Sequence, residues 1–404
     1  MVSLPQRYSA VCADLQLPTS PDVLRVLHER GRARSSGIRL PGGGGRLTDR
    51  DVLALSVTLR QDVTVAGLDL RYNRVTDEGA KHLADLLQHN VAIEHLNLMC
   101  NNIEAEGAEL LAKSLHGNST LRSLRMAGNK IASRGSMRFA AMLQVNSTLQ
   151  ALDVSDCDLD TQSLIGFTIA LSTNKSIQAV DLSRPLLFSH QEEIMVHLAR
   201  MLQVNQHLQE LHLGQHGMTD SAVERLCEAL RGNSVLRYLD LRCNRITRDG
   251  AKFLAEILRH NSTLEILDLS SNRIEDDGAG HLSKAIARHN RSLRALSVTS
   301  NSIASRGLLL LTEAMQLNPS LSHIYIWGNK LEEPVCAAVS SLLQSGRLLQ
   351  EATDVSPYEV DGQRCLAEVF HGLRRHYYWT SNFDAHSDPV VNSALVLMGR
   401  DSMF

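Results

Sequence analysis

The stretch LRYLDLRCNRITRDGAKFLAEILRHN, from Leu236 to Asn261, carries the pattern that decides the fold. At its start, Leu239 and Leu241 alternate with polar residues, which is typical of a short strand with one apolar side. From Gly250 onward, alanines and leucines recur at helical spacing, which is typical of an amphipathic helix. The stretch therefore predicts a unit of strand, turn and helix in which both elements contribute an apolar face to one core.

The same unit recurs along most of the chain. Each copy has an anchor residue shortly after its strand, and the anchors are Asn73, Asn101, Asn129, Cys157, Pro185, His216, Asn244, Asn272, Asn301 and Asn329. Eight of the nine steps between anchors are 28 or 29 residues, and the step from Pro185 to His216 is 31. A unit of this length cannot bury its apolar face alone, so stacked copies are expected to share one continuous core.

The repeated pattern L-x-x-L-x-L-x-x-N/C-x-L resembles that of leucine-rich repeats. The predicted fold class is α/β, a leucine-rich-repeat solenoid of horseshoe shape with about ten repeats of 28 residues. A parallel β-sheet is predicted on the concave face and α-helices on the convex face. Parallel strands stack ~4.8 Å apart, and because helices are wider than strands, the stack is expected to bend.

Two segments without the repeat bound the periodic region. We predict an N-terminal cap with a glycine-rich linker over residues 1–45, a repeat domain over 46–346, and a C-terminal cap and tail over 347–404. The first segment contains the helix candidate SPDVLRVLHERGR and the linker run at Gly42–Gly45. The helix candidate TDRDVLALSVTLRQD comes next and is interpreted as the outer half of an incomplete first repeat.

The C-terminal segment contains two features. The stretch YEVDGQRCLA, 358–367, is typical of a hairpin that turns at Asp361-Gly362. An aromatic cluster follows at Tyr377, Tyr378 and Trp379. Two roles are open for this cluster, namely burial in a cap over the last repeat and anchoring of a partner.

Small polar residues and glycines recur inside the repeat. Asparagine is expected to close the helices in the left-handed conformation, at Asn90, Asn118, Asn146, Asn174, Asn205, Asn233, Asn261, Asn290 and Asn318. Glycine is expected where neighbouring units approach closely, at Gly79, Gly107, Gly135, Gly250, Gly278 and Gly307.

Composition and motifs favour a protein that binds other proteins and has no enzymatic activity. The net charge of −3 and pI near 6.6 disfavour a nucleic-acid binder. Neither an apolar leader nor a membrane-spanning run is apparent in the sequence. The glycine run lacks the Lys-Ser/Thr of a phosphate loop, and the 17 histidines form no metal-binding or catalytic motif. We therefore predict no cofactor, no metal, no small-molecule substrate, no direct nucleic acid, no membrane, and a location in the cytoplasm and nucleus.

The concave face contains the candidate partner-binding residues. The residue between the two strand leucines is expected to be exposed, and it is Asp in five of ten repeats. The predicted site comprises Asp69, Arg71, Asp153, Asp181, Asp240, Arg242, Asp268, His323, Tyr325 and Trp327. Two interpretations are open: an acidic trough ending in an aromatic patch, suited to a basic partner segment or a large assembly, and a solvated polar sheet. Neighbouring Asp residues are expected to repel one another across strands.

Two further stretches have open interpretations. The irregular repeat between Pro185 and His216 is either a tolerated loop insertion or a partner contact. The basic stretch from Arg25 to Arg39 is either a solvated helix face or a signal for the nucleus or an acidic partner.

The 28-residue period with long helices resembles ribonuclease-inhibitor-type leucine-rich repeats over residues 46–346. That group includes Ran GTPase activators and the sensing arms of NOD-like receptors, and no residue here matches a Ran-activator catalytic arginine. A GTPase regulator with an exposed arginine such as Arg71 or Arg242 is therefore the less favoured alternative to an adaptor.

A closer resemblance is to one kind of leucine-rich-repeat-containing protein. It is carried by LNLMCNNIEAEGAELLAKSLHGN, LDVSDCDL, HNRSLRALSVTSNSI, SHIYIWGNK and HYYWTSN, between Leu68 and Asn382. The resemblance implies a non-enzymatic protein of germ and stem cells, found in the nucleus and nucleolus and linked to ribosome biogenesis. A structural role in the motile cilium or sperm axoneme is the competing expectation.

Overall fold

The structure is a computed structural model that describes residues 2–33, 37–40, 42, 45–186 and 191–369. Thirteen helices lie in these ranges: α1 Leu4–Asp14, α2 Pro21–Ala33, α3 Asp49–Leu59, α4 Asp77–His89, α5 Ala105–Leu115, α6 Ala132–Leu143, α7 Thr161–Thr173, α8 Gln191–Val204, α9 Asp220–Leu230, α10 Arg248–His260, α11 Glu275–Arg288, α12 Ser305–Leu317 and α13 Glu333–Gln344.

Eleven strands of three residues each precede the helices α3 to α13. They are β1 Gly37–Arg39, β2 Gly67–Asp69, β3 His95–Asn97, β4 Ser123–Arg125, β5 Ala151–Asp153, β6 Ala179–Asp181, β7 Glu210–His212, β8 Tyr238–Asp240, β9 Ile266–Asp268, β10 Ala295–Ser297 and β11 His323–Tyr325. The 3₁₀ turn Gln350–Ala352 and the hairpin strands β12 Val355–Val360 and β13 Gln363–Glu368 follow.

The chain folds as two compact units that divide at residue 188. In the first unit, β1 to β6 pair in parallel in chain order. In the second unit, β7 to β11 do the same. The register joins equivalent residues of successive repeats, such as Ser123 with Ala151 and Tyr238 with Ile266. Within each unit this architecture confirms the predicted leucine-rich-repeat solenoid.

The anchor asparagine holds the turn after each strand. Asn129 is fully buried, and its Nδ2 donates to the carbonyls of Leu98 at 2.8 Å and Met126 at 2.7 Å. Its Oδ1 accepts from the N–H of Ile103 at 3.1 Å. The side chain thus joins its own turn to the preceding repeat. Cys157 takes the anchor position, and its Sγ donates to the carbonyl of Met126 at 3.2 Å.

The asparagines at the helix ends have a different backbone conformation from the one predicted. Asn90, Asn174 and Asn261 have φ of −80°, −69° and −77° with extended ψ, so the predicted left-handed conformation is wrong. The residue is needed for its side chain instead. Nδ2 of Asn146 donates to the carbonyl of Leu115 at 2.7 Å, one repeat earlier, and its Oδ1 accepts from its own loop. A left-handed residue lies immediately before each anchor instead, such as Tyr72 before Asn73 and Cys243 before Asn244.

The recurring glycines do lie where repeats approach closely. A Cβ atom on Gly107 would lie 2.5 Å from Oδ1 of Asp77, and one on Gly250 would lie 2.5 Å from Oδ1 of Asp220. These carboxylates bridge repeats, since Asp220 accepts from the N–H of Thr247 at 2.8 Å. The glycine therefore leaves room for an aspartate that ties one helix start to the next.

The N-terminal end contains a strand that the sequence analysis did not predict. β1 pairs with β2, so the first repeat has an inner as well as an outer half. Gly42, predicted as part of a linker, donates its N–H to the carbonyl of Arg71 at 2.9 Å. A Cβ atom there would lie 1.8 Å from the carbonyl oxygen of Tyr72, so glycine is required at this position.

The C-terminal end closes the last repeat with side chains. The guanidinium of Arg347 donates to the carbonyls of Leu321, at 2.7 Å, and Asn318, much as the amide of a further helix-end asparagine would. The predicted hairpin is confirmed, with φ of 51° at Asp361 and 77° at Gly362. The aromatic cluster at 377–379 and residues 187–190 of the irregular repeat lie outside the described residues.

Candidate functional site: the strand face

Side chains alternate along each strand, so the middle residue faces the core and its neighbours lie on the opposite side. We call this opposite side the strand face. Its main row is the third residue of each strand from β1 to β11: Arg39, Asp69, Asn97, Arg125, Asp153, Asp181, His212, Asp240, Asp268, Ser297 and Tyr325. Arg71, Arg242 and Trp327 lie on the same face two residues later, and all ten residues of the predicted site therefore belong to it.

The aspartates of this row are buried, so the expectation that they are exposed is wrong. Their exposed fractions are 4% for Asp69, 1% for Asp153, 6% for Asp181, 0% for Asp240 and 4% for Asp268. Each carboxylate accepts a hydrogen bond of 2.9 to 3.2 Å from the backbone N–H two residues later. This local bond ends the strand and starts the turn, which gives the recurring aspartate a structural role.

In the first unit the row is organised around a buried ion pair. Nε and Nη2 of Arg125 lie 3.1 and 3.0 Å from Oδ2 of Asp153. Asp181 lies opposite Asp153 on the next strand, in the register that predicted repulsion. Burial raises the pKa of Asp153 because desolvation outweighs the Arg125 guanidinium, and the Asp181 carboxylate raises it further. Burial likewise raises the pKa of Asp69, despite its ion pair with Arg71.

In the second unit the row is organised around a buried histidine. Nδ1 of His212 lies 3.3 Å from Oδ2 of Asp240, and its Nε2 lies 3.7 Å from Oε2 of Glu210. Nε of Arg242 lies 3.4 Å from the same oxygen of Asp240. Burial on its own would raise the pKa of Asp240, but Arg242 and His212 outweigh it and lower the pKa to about 2. The ring of Tyr238 packs edge-on against His212, with centroids 4.8 Å apart.

A row of close polar contacts links the second-unit row to the C-terminal segment. Hydroxyl groups of Ser270, Ser297 and Thr299 connect Asp268 to Asp354 through contacts of 2.5, 2.7, 3.3 and 2.9 Å. Oδ1 of Asp354 also accepts from the N–H of Ile326 at 2.8 Å. The Asp354 carboxylate thereby takes the place of the backbone carbonyl that a further parallel strand would offer to the N–H of Ile326.

Sequence analysis did not identify Asp354 as part of this face. The repeat period gives no signal for it, because one step of 28 residues after Tyr325 falls on Thr353, and Asp354 lies one residue later. The leucine pattern has also ended there, so nothing in the sequence marks the position.

The aromatic end of the row is partly accessible. Tyr325 is buried at 4% exposure, whereas His323 and Trp327 are half-buried. Nδ1 of His323 lies 2.7 Å from the hydroxyl of Ser322. Burial lowers the pKa of His323, which favours its neutral form. The accessible groups of the predicted site are therefore Arg71, Arg242, His323 and Trp327, with side-chain exposures of 32% and 18% for the two arginines.

Two negative observations apply to the described residues alone. No helix among them combines the length and apolarity that a bilayer span requires. Across the same ranges, no three His, Cys, Asp or Glu residues are grouped so that they could hold a metal ion.

A family model described as Leucine Rich repeat matches the chain at residues 68–84, 89–112, 117–140, 145–167, 204–227, 232–255, 260–283 and 289–311. These matches coincide with the stacked strand and helix units. The fold and these matches together show that the chain contains leucine-rich repeats between residues 68 and 311.

Among curated proteins, the chain is similar to Leucine-rich repeat-containing protein 34 of Homo sapiens and of Rattus norvegicus. The human protein is 46% identical over 217 residues, which cover 54% of this chain and 47% of that protein. The rat protein is 48% identical, with coverages of 54% and 52%. The chain thus spans about half the length of the curated relatives it matches.

Among solved structures, an internalin from Listeria monocytogenes covers 82% of this chain and 92% of its own, at 16% identity and a TM-score of 0.40. Leiomodin-1 Actin-Binding Site 2 covers 38% of this chain and 86% of its own, at 16% identity and a TM-score of 0.32. Likenesses of this size carry no inference about function.

Proposed function

We propose that the chain is a non-enzymatic scaffold that binds partner proteins through the strand face. Leucine-rich repeats build extended surfaces suited to such contacts. The observation that carries the proposal is that buried groups hold the accessible side chains in place. Asp240 binds Nε of Arg242, and Asp354 accepts the backbone N–H of Trp327 at 3.2 Å, which fixes the main chain that carries the indole. A surface ordered before binding loses less entropy when a partner arrives.

The proposal divides the predicted site into two roles. Arg71, Arg242, His323 and Trp327 contact the partner, and arginine and tryptophan are enriched among residues that dominate binding energy. The buried residues position them: Asp69, Asp153, Asp181, Asp240, Asp268 and Tyr325. A basic partner segment stays a prediction, although carboxylates at most 6% exposed offer it little direct contact.

Proximity labelling in testis-derived cells tests the proposal. The wild type is compared with the double variant Arg242→Ser, Trp327→Ala, which spares the buried aspartates and should fold normally by circular dichroism. The matched control is Arg306→Ser on α12, an arginine with 67% side-chain exposure that is also ion-paired. We expect a small set of neighbours to be lost from the double variant alone. If both variants keep all neighbours, the strand face is not the contact surface.

The cellular setting is a finer proposal that rests on the resemblance to leucine-rich-repeat-containing relatives. We propose a role in germ or stem cells linked to ribosome biogenesis, with a structural role in the motile cilium or sperm axoneme as the alternative. Microscopy of the tagged protein distinguishes the two, since the first expects nucleolar signal and the second expects axonemal signal.

A regulator of a small GTPase is the alternative from another functional class. Such a role needs an exposed arginine that reaches the nucleotide. The carboxylates of Asp69 and Asp240 bind Nε of Arg71 and Arg242, at 3.2 and 3.4 Å. Accelerated GTP hydrolysis with the purified protein, lost on Arg71→Ala or Arg242→Ala, would overturn the non-enzymatic proposal.

A further inference from the structure

A cleft of about 540 Å³ opens at the turns that lead from α9, α10 and α11 into the following strands. It lies at the strand starts, apart from the strand face, and all of its lining residues belong to the second unit. Its charged and titratable lining, called here the basic cleft, consists of Arg237, Arg259, His260, Glu265, His289, Arg291 and Arg294.

The arginines of the basic cleft outnumber its carboxylates. Glu265 is the single acidic residue of the lining, and two arginines share its carboxylate. Its Oε1 lies 3.3 Å from Nη1 of Arg237, and its Oε2 lies 3.9 Å from Nε of Arg294. Arg259 is paired with Glu256 of its own helix at 3.4 Å. Arg291 donates to the backbone carbonyl of Asn290 at 2.7 Å. The lining has no further carboxylate to compensate the charge of Arg291.

The backbone holds three of these residues in a fixed row. The N–H of Glu265 donates to the carbonyl of Arg237, and the N–H of Arg294 donates to the carbonyl of Glu265, both at 2.7 Å. The three residues therefore lie one strand apart, roughly 4.8 Å from one to the next. Two guanidinium groups are thus presented at a set spacing on either side of one carboxylate.

The repeat itself does not require these cations. In the other repeats the residue equivalent to Arg291 is a cation once, at Lys175, and is otherwise Val91, Ser119, Ser147, Gln206, Ser234, Ser262 or Pro319. Arg259 lies in the last turn of α10, where a cation complements the helix dipole. That reason does not apply to Arg291 and Arg294, which lie beyond the end of α11. Arg294 has Glu265 as an ion-pair partner, whereas Arg291 has no carboxylate partner in the lining, so Arg291 is better explained by an anionic ligand than by folding.

We propose that the basic cleft binds an acidic segment of a partner protein, rich in Asp and Glu. Guanidinium groups bind carboxylates through paired, charge-assisted N–H donors, which gives both strength and orientation. The exposed ends of Arg237 and Arg294, at 46% and 43% side-chain exposure, are accessible to such a segment. This surface is separate from the strand face, so the inference does not depend on the proposed function.

An acidic protein segment fits the cleft better than a nucleic acid does. Nucleic-acid binding draws on many phosphate contacts along an extended basic face. Here the net charge is −3. The comparable cleft of the first unit, formed where α4 and α5 end, is lined by one charged residue, Lys113. Of these two clefts, that of the second unit has the larger positive charge, and its 540 Å³ can hold a few carboxylate side chains.

Fluorescence anisotropy with the full chain tests the proposal. The probe is a fluorescein-labelled peptide of alternating Glu and Ser, compared with the same peptide carrying Gln in place of Glu. The variants are Arg237→Glu with Arg294→Glu, and the milder pair Arg237→Gln with Arg294→Gln. The matched control is Lys113→Glu with Arg122→Glu, since Arg122 pairs with Glu94 at 3.2 Å in the equivalent row of the first unit.

We expect the Glu peptide to bind the wild type, to weaken as ionic strength rises, and to lose about tenfold or more in affinity with the charge-reversed pair. The Gln pair should give a smaller loss, whereas the control pair and the strand-face pair Arg242→Ser, Trp327→Ala should bind as the wild type does. Equal binding of the Gln peptide, or equal loss in the control pair, would overturn the proposal. Tighter binding of a phosphoserine peptide or of single-stranded DNA than of the Glu peptide would overturn it too.

Discussion

Each unit has a cleft where helices turn into strands, and the two clefts share a framework but differ in charge. The cleft of the first unit, about 340 Å³, contains the helix-end residue Asn118 and one charged residue, Lys113. The cleft of the second, about 540 Å³, contains Asn290 and four arginines. Both asparagines bond to the preceding repeat at 2.8 Å. The residues that hydrogen-bond to the backbone of the preceding repeat are thus the same in both clefts, whereas the exposed residues beside them differ. We therefore expect the exposed residues to determine which partner binds.

The largest effect is expected at the anchors, where the two units should agree. Nδ2 and Oδ1 of Asn244 make the same three bonds as Asn129, to Leu213 at 3.0 Å, Leu241 at 2.8 Å and Met218 at 3.0 Å. Asn129→Ala or Asn244→Ala removes three buried hydrogen bonds and leaves the N–H of Ile103 or Met218 without this acceptor, so each should lower the free energy of unfolding in urea by about 3 kcal/mol. A large loss in only one unit would show that the frameworks are not equivalent.

The next effect concerns the glycines, and it should differ between the units. A Cβ atom on Gly107 would lie 2.9 Å from the backbone Cα of Asp77, whereas the atoms closest to one on Gly250 belong to side chains. Gly107→Ala should therefore cost about 2 to 3 kcal/mol of unfolding free energy and Gly250→Ala about 1 to 2 kcal/mol. Gly117→Ala, which meets nothing within 4 Å, is the control. The reverse order would mean that the Asp77 backbone yields more easily than side chains do.

The sequence pattern was sufficient for the elements whose cause is local. The alternation at Leu239 and Leu241, the helical spacing that follows, and the turn at Asp361-Gly362 depend on neighbours in the chain, and the structure confirms all three. The anchors were also predictable, since Asn129 serves the turn in which it lies.

The sequence pattern failed where the cause lies one repeat away. From its position in the strand, Asp153 is expected to be exposed. Its carboxylate is instead paired with Arg125, which lies 28 residues earlier in the chain. Asn90 looks like a left-handed helix end, but its amide bonds to the carbonyls of Leu59 and Asp62. The basic cleft was missed for the same reason, because its arginines are dispersed in sequence and meet only when the repeats stack.

On the strand face, the pH dependence of stability is expected to have opposite signs for Asp240 in the second unit and Asp153 in the first. The pKa of Asp240 is about 2 in the folded state, below its ordinary 3.8. Its ionised form therefore contributes roughly 2 kcal/mol at neutral pH, and that contribution is lost as the pH falls from 3.8 through 2. The cost of Asp240→Asn should shrink over this window. The free energy of unfolding in urea at several pH values gives the slope.

Asp153 should show the opposite slope. Burial raises its pKa above 3.8, so the folded state takes up a proton before the unfolded state does. As the pH falls towards 3.8, the wild type gains stability relative to Asp153→Asn, and the cost of the substitution grows. The change of the unfolding free energy with pH is the informative quantity, because Asp153→Asn and Asp240→Asn each also remove a carboxylate partner from an arginine. Slopes of the same sign would contradict the assigned environments.

The smallest effect is expected where the two clefts differ most in charge. Arg122→Ala leaves Glu94 without the arginine that lies 3.2 Å from it, whereas Arg237→Ala leaves Glu265 beside Arg294. Both arginine side chains are about half exposed, so each substitution should change the free energy of unfolding by about 0.5 kcal/mol or less, with Arg122→Ala the larger. Urea denaturation at low ionic strength measures the difference. A loss of several kcal/mol for Arg237→Ala would mean that the fold needs this arginine, and the charge of the basic cleft would then no longer require a ligand to explain it.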